Sequence, residues 1–200
     1  IRTTTPPAIL ANICSRLPRA PVVAAAVILE CAALPGELRG GLDDSKKLKA
    51  DKRERLFEAL LDYARVGVGR AEAAEIDEIN ILQATMRAMA RAVGDLARCG
   101  GVPDLALVDG NRVPQLPCPA RPVIKGDAKS LSIAAASIVA KVTRDRIMAE
   151  LAEAFPGYGW ERNSGYGTPE HQDALKRLGV TPHHRRSFKP IIKILGNDGA

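Results

Sequence analysis

Two acids stand where this chain can do chemistry. Asp109 ends the apolar run Leu105-Ala106-Leu107-Val108 and is followed by Gly110-Asn111. Asp127 follows Val123-Ile124-Lys125-Gly126 and precedes a helix-like stretch of very small residues. Each carboxylate is expected at the C-terminal tip of a buried strand, which is where open α/β sheets gather their ligands. A hard divalent cation needs several converging oxygens, and two strand tips of one sheet can supply them. Each acid also has a local reading. Asp-Gly is a common turn dipeptide, and Asp127 can cap the helix that follows it.

Further polar groups fall into short clusters. Ser45, Lys46 and Lys47 follow Asp43-Asp44 near Gly40-Gly41, a flexible approach, and suit phosphate contact or a plain solvated charge run. Lys125 is placed to answer a phosphate beside Asp127. Tyr166 lies between Gly165 and Gly167 and can stack on a base or sugar, or sit in an inert turn. The run His183-His184-Arg185-Arg186-Ser187-Phe188 is basic, so Arg185 can touch a backbone phosphate; the alternative is a C-terminal clasp with Phe188 buried. Ser137 and Lys141 are weaker candidates for a ligand-facing role, since the segment around them reads first as tight packing.

Elements must hold these groups in place. Val22 to Leu29 has no polar alternation and lies between Pro21 and the Pro35-Gly36 turn, which suits a strand covered on both faces, while its three alanines leave a helix open. Residues 50–64 predict an amphipathic helix, and Val66 and Val68 a short strand. From Ala74 to Cys99, Ile76, Ile79, Leu82, Met86, Met89, Val93 and Leu96 recur at steps of three and four before Gly100-Gly101, predicting one long helix. Strands are expected at Leu105–Val108 and Pro122–Ile124, and helices at Ser130–Ala154 and Pro169–Leu178. Residues 1–8 read as a loose leader.

Composition narrows the function classes. The 29 basic and 23 acidic residues leave a formal charge of +6, an excess that favours a polyanionic partner without requiring one. The four cysteines, Cys14, Cys31, Cys99 and Cys118, form no paired zinc spacing and are expected to be reduced. The run Val22–Leu29 is far too short to span a bilayer, so a membrane role is not expected and the cytoplasm is.

Taken in chain order, the segments PVVAAAVIL, DSKKL, EIDEINILQATMRAM, LVDGNRVPQLP, VIKGDAKSLSIAAASIVAKVTRDR, GYGTPEH and HHRRSF resemble the ribonuclease HII family, over Pro21 to about Pro190. The resemblance implies an α/β, RNase H-like fold: a mixed central sheet flanked by helices, with a helical C-terminal portion. It implies a catalytic domain over 9–156 and a segment that closes on substrate over 157–200. It implies an endonuclease that cuts RNA in RNA/DNA hybrids and at ribonucleotides embedded in duplex DNA. The cofactors it implies are Mg²⁺ or Mn²⁺ ions held by four acids, and the expected assembly is a monomer. Asp109 and Asp127 match the third and fourth of those acids. Tyr166 matches the residue that stacks on the junction sugar, and Lys46 and Lys47 lie in a segment near the phosphates.

The chain departs from the family before Pro21. Where the family carries adjacent Asp and Glu and then a Gly-Arg-Gly loop, ungapped counting places Ala11 and Asn12, then Cys14, Ser15 and Arg16. Alanine offers no ligand atom, and asparagine only a neutral amide oxygen. Two remaining acids suit one loosely held cation, because a pair of cations about 4 Å apart repel with too little negative charge beneath them. Leu17-Pro18 adds bulk and removes an N–H donor from the loop, and Asn163-Ser164 stands where the family has His-Lys. Codons compatible with Ser15 to Ala20, read one base later, encode Arg-Gly-Cys-Leu-Ala, which is similar to the family's loop. The expectations are therefore an impaired enzyme, a binding module without catalysis, or the product of a local frameshift.

Overall fold

The computed structural model describes residues 8–13, 21–100 and 103–197. The expected leader lies outside them, apart from Ala8, as do Cys14 to Ala20. Five strands form one sheet in the order β3-β2-β1-β4-β5: β1 Ala8–Ile13, β2 Val22–Leu29, β3 Ala64–Ala71, β4 Ala106–Asp109 and β5 Ala120–Val123. The first three pair antiparallel, and β4 and β5 join β1 in parallel. This is the mixed α/β sheet expected from the sequence.

β2 shows why the sheet is covered on both sides. Its eight residues are all buried, and they divide by alternation. Val23, Ala25, Val27 and Leu29 join one core with Ile133, Ala136 and Ile138 of helix α4, Leu131–Ala154. Val22, Ala24, Ala26 and Ile28 join the other with Ala88, Val93 and Leu96 of helix α3, Ala73–Gly100. The alanines of α4 lie against the sheet as its small-residue sequence predicts, and Ser137 turns its hydroxyl onto the carbonyl of Ala134 at 2.8 Å. It is a satisfied core group rather than a ligand-facing one.

Helix α3 is not continuous. Asn80 sits at φ 67 and ψ 162, a region that is nearly reserved for glycine. Its Oδ1 accepts from the N–H groups of Leu82 and Gln83 at 3.0 and 3.2 Å. Asn80 therefore caps a second helical segment, and the expected single helix is two, joined at a strained residue. The apolar steps run on across the break, which hides it from periodicity.

Three other expectations change. The Pro35-Gly36 turn and the Gly40-Gly41 approach belong to a short helix, α1, Gly36–Gly41. Leu34, Leu38 and Leu42, spaced four apart, are buried along it. Helix α2, Ala50–Leu60, ends earlier than expected, and the last strand begins at Ala120 rather than Pro122.

Beyond α4 the chain builds a small core of its own. Tyr158, Trp160, Ala174, Leu175 and Ile191 enclose Met148 of α4. They come from helices α5 Trp160–Asn163, α6 Pro169–Leu178 and α7 Lys189–Asn197 and their connections. Phe188 packs against this cluster only partly buried, so the clasp expected of it exists in part. Among the described residues no helix is long and apolar enough to cross a membrane, and Cys31, Cys99 and Cys118 are free thiols.

Candidate active site

Asp109 is the last residue of β4, paired with Val123 of β5. The ladder continues one step, from Gly110 N–H to Val123 O at 3.0 Å. The chain then bends through Lys125 at φ 54 into a 3-10 turn, Gly126–Ala128. That bend brings the Gly126 N–H to Asp109 Oδ1 at 2.8 Å. A Cβ at Gly126 would lie 2.5 Å from Ile133 Cδ1 and 3.2 Å from Asp109 Oδ1, so a larger residue must displace the Ile133 side chain. Asp127 Oδ1 accepts from Ala128 N–H at 2.9 Å. Asp127 thus sits in the turn before α4 and does not cap that helix, whose N-cap position is held by Ser130.

The two acids feel one another. Burial, foremost, and the negative charges of Asp127 and Asp44 hold the Asp109 carboxyl above its ordinary range, against the pull of the Gly126 N–H and of Lys46. A half-buried carboxylate crowded by like charge is relieved by a cation. Among the described residues no group of three or more His, Cys, Asp or Glu side chains is placed to hold a metal.

The register of β1 places Ala11 and Asn12. Leu10 pairs with Val108 in parallel, so the next residue, Ala11, is level with Asp109. Asn12 pairs with Ala24 of β2.

A cleft of about 770 Å³ opens beside Asp109. Lys46 and Arg185 line it from opposite ends of the sequence, together with Asn80, Met86 and Arg112. The structure therefore brings Asp109, Lys46 and Arg185 to one cavity, with Asp127 adjacent. Lys47, Lys125 and Tyr166 are exposed and stand outside its lining. Lys47 pairs with Asp43 at 3.3 Å, and Asp44 Oδ1 accepts the Lys46 N–H at 3.0 Å, so the loop orders itself. Ser45 is 1% exposed, beneath the surface, with its carbonyl accepting from Arg53 at 2.9 Å. Its hydroxyl offers no open face to a ligand, which corrects its place among the contact residues.

Lys141 is drawn to Asp145, and burial pushes its ammonium below the ordinary lysine value. Tyr166 is 49% exposed and follows Ser164, at φ 44, and Gly165, at φ 81. Arg144, buried in α4, donates to the Ser164 carbonyl at 2.8 Å and braces this turn.

Sequence reasoning missed three groups here. Asn80 and Arg112 line the cleft, and Asp77 holds the far loop by accepting from Arg186 N–H, Ser187 N–H and Ser187 Oγ at 2.7, 2.9 and 2.6 Å. A polar residue inside an apolar helical pattern, as at Asn80, was the one available signal.

Comparison with known proteins agrees with this geometry. The family model described as Ribonuclease HII matches residues 20–191, a stretch that begins after Ala11 and Asn12. A ribonuclease HII of Rhodospirillum rubrum is 61% identical over 177 residues, covering 88% of this chain and 80% of its own. The crystal structure of ribonuclease H2 from Pyrococcus horikoshii OT3 superposes with a TM-score of 0.76 at 26% identity, over 95% of this chain and 98% of that one. The crystal structure of Bst-RNase HIII in complex with Mn²⁺ shares the fold, with a TM-score of 0.73 at 15% identity over 98% of this chain and 72% of that one. The fold is RNase H-like, the relatives are nuclease hydrolases, and the chain belongs to the ribonuclease HII family.

Proposed function

We propose that this chain binds RNA/DNA hybrids and ribonucleotide-containing DNA duplexes as its family's endonucleases do, but cleaves them poorly. The observation that carries this reading is the register of β1, in which a methyl group, that of Ala11, belongs to the position level with Asp109. Asp109 and Asp127 each commit one carboxylate oxygen to a backbone N–H. The oxygens left over fit a single hydrated Mg²⁺ or Mn²⁺, which takes about six oxygens in all. They do not fit a pair of ions. A bound divalent ion supplies charge neutralisation and a more acidic water; with half its ligands replaced, no two-ion pathway is derived for this chain.

What remains is a surface suited to a duplex. Lys46 and Arg185 in the cleft, with Lys47 and Lys125 on its approaches, supply positive charge for backbone phosphates. Tyr166 supplies an exposed ring for a sugar or base, and the segment after Gly157 carries it. Ser45 contributes by fixing the loop that bears the two lysines.

Titration with a fluorescent RNA/DNA hybrid in EDTA tests the binding half. Affinity is expected to fall steeply with salt, and Lys46→Ala to weaken binding and flatten the logarithmic salt slope by about one. Absence of binding at low salt, or binding indifferent to salt, contradicts the reading.

A further inference from the structure

His171, in the first turn of α6, and His184, in the loop after it, are 0% and 1% exposed. Their partners fix their protons. The backbone N–H of Thr181 can only donate, so His184 Nδ1, 2.9 Å away, accepts, and the ring carries its hydrogen on Nε2. The carbonyl of Tyr158 can only accept, so His171 Nδ1, at 2.7 Å, donates, and its Nε2 carries a lone pair. The two Nε2 atoms are 3.3 Å apart. One arrangement closes, with His184 Nε2–H donating to His171 Nε2 and both rings neutral. A second proton on His171 Nε2 meets the His184 Nε2–H, and one on His184 Nδ1 meets the Thr181 N–H and must turn to the Thr181 hydroxyl, 2.8 Å away.

This short chain of hydrogen bonds runs from the Tyr166 turn to Thr181. At one end the Tyr158 carbonyl also accepts from Asn163 Nδ2 at 3.0 Å. Asn163 Oδ1 in turn accepts from Gly165 N–H at 2.8 Å, and its carbonyl from Tyr166 N–H at 2.7 Å. At the other end His184 is held by Thr181 and is followed in the chain by Arg185, which lines the cleft with Lys46 and Asp109. Around the pair stand the rings of Tyr158, at 5.6 and 5.3 Å, and Trp160, at 6.1 and 5.3 Å. The titratable and charged neighbours are the Tyr158 phenol, which donates to Gly179 O at 2.9 Å, His183, Arg185, and Glu170 beside His171, itself paired with Arg162.

We propose that His171 and His184 are positioning residues that tie the Tyr166 turn to Arg185, and that the tie holds only while both imidazoles are neutral. The inference rests on the reading above, in which Tyr166 and Arg185 meet the duplex. It has a distinctive sign. Added positive charge by itself tightens binding to a polyanion, whereas protonating this buried pair loosens it.

The test is fluorescence anisotropy of a DNA duplex bearing one ribonucleotide, in EDTA, from about pH 8 down to about pH 5.5. The unaltered chain, His171→Asn, His184→Asn, Tyr166→Ala and the His184→Asn/Tyr166→Ala pair are compared. Asparagine at 184 keeps an acceptor for Thr181, and at 171 a donor for Tyr158, so each removes only the link between the rings. Each Asn variant is expected to bind about fivefold more weakly near neutral pH, and the double variant no more weakly than Tyr166→Ala. The unaltered chain is expected to lose affinity on acidification while its circular dichroism stays native, and His184→Asn to lose that acid limb.

Full additivity in the double variant, tightening on acidification, or loss of affinity only together with unfolding overturns the proposal. If the Asn variants do not fold, the pH profile of the unaltered chain decides alone. Failure of the unaltered chain to bind at any pH overturns the reading beneath it, and this inference with it.

Discussion

Changing Ala11 to aspartate and Asn12 to glutamate together is expected to raise metal-dependent cleavage of an RNA/DNA hybrid by more than about a hundredfold. The magnitude follows from what ligands do: loss of a residue that merely supports a metal ligand costs about 10–100-fold, so loss of ligands themselves costs more. The direction follows from register. Leu10 pairs with Val108, so position 11 is level with Asp109 on the neighbouring strand. Recovery is expected to fall short of a relative's full activity, because Cys14, Ser15 and Arg16 still replace the glycine-rich loop. Cleavage of a labelled hybrid in Mg²⁺ and in Mn²⁺, compared between the two forms, measures the gain. Equal rates would show that positions 11 and 12 do not complete the site.

Replacing Gly69 with alanine is expected to destabilise the protein by about 3 kcal/mol or more, since forcing atoms into a packed interior costs about 1–3 kcal/mol even where neighbours can yield. Here they cannot. A Cβ at Gly69 would lie 2.1 Å from Ala88 O and 2.5 Å from Ala92 N, and one at Gly67 2.3 Å from Ala92 O and Leu96 N. Those are backbone atoms of α3, so the helix must move away from β3. A melting temperature lower by about 6–12 °C is expected for a chain of this size. Because Asn80, Thr85 and Met86 of the same helix line the cleft, hybrid affinity is expected to fall in the folded fraction as well. A melting temperature unchanged by Gly69→Ala would show that α3 does not pack this closely.

β2 and β4 were legible because they are written as apolar runs. Val22–Leu29 reads as a strand with both faces covered, and it divides residue by residue between two cores. Asp109 stood out because an acid that closes such a run lies at a strand tip, as it does; Asp127, expected at a second tip, lies past β5 in the turn before α4. Other features are invisible at that level. The break at Asn80 depends on a side chain capping its own helix, while the apolar steps continue past it. Ser45 reads as an exposed hydroxyl in a charged run, and only Arg53 and the packing around it show it to be buried. The His171–His184 contact joins two motifs that read separately as a helix start and a basic patch. Asp77 reaches the 186–187 backbone from more than a hundred positions away in the chain, a pairing that local sequence cannot show.

The central claim is that Asp109 and Asp127 are half of a metal site whose other half is absent. Titration of Mn²⁺ into the chain bound to uncut hybrid, followed by electron paramagnetic resonance, tests it most directly. The account predicts at most about one ion per chain, weakly held, and no bound ion after Asp109→Asn. Two tightly held ions, or binding that survives Asp109→Asn, would contradict it.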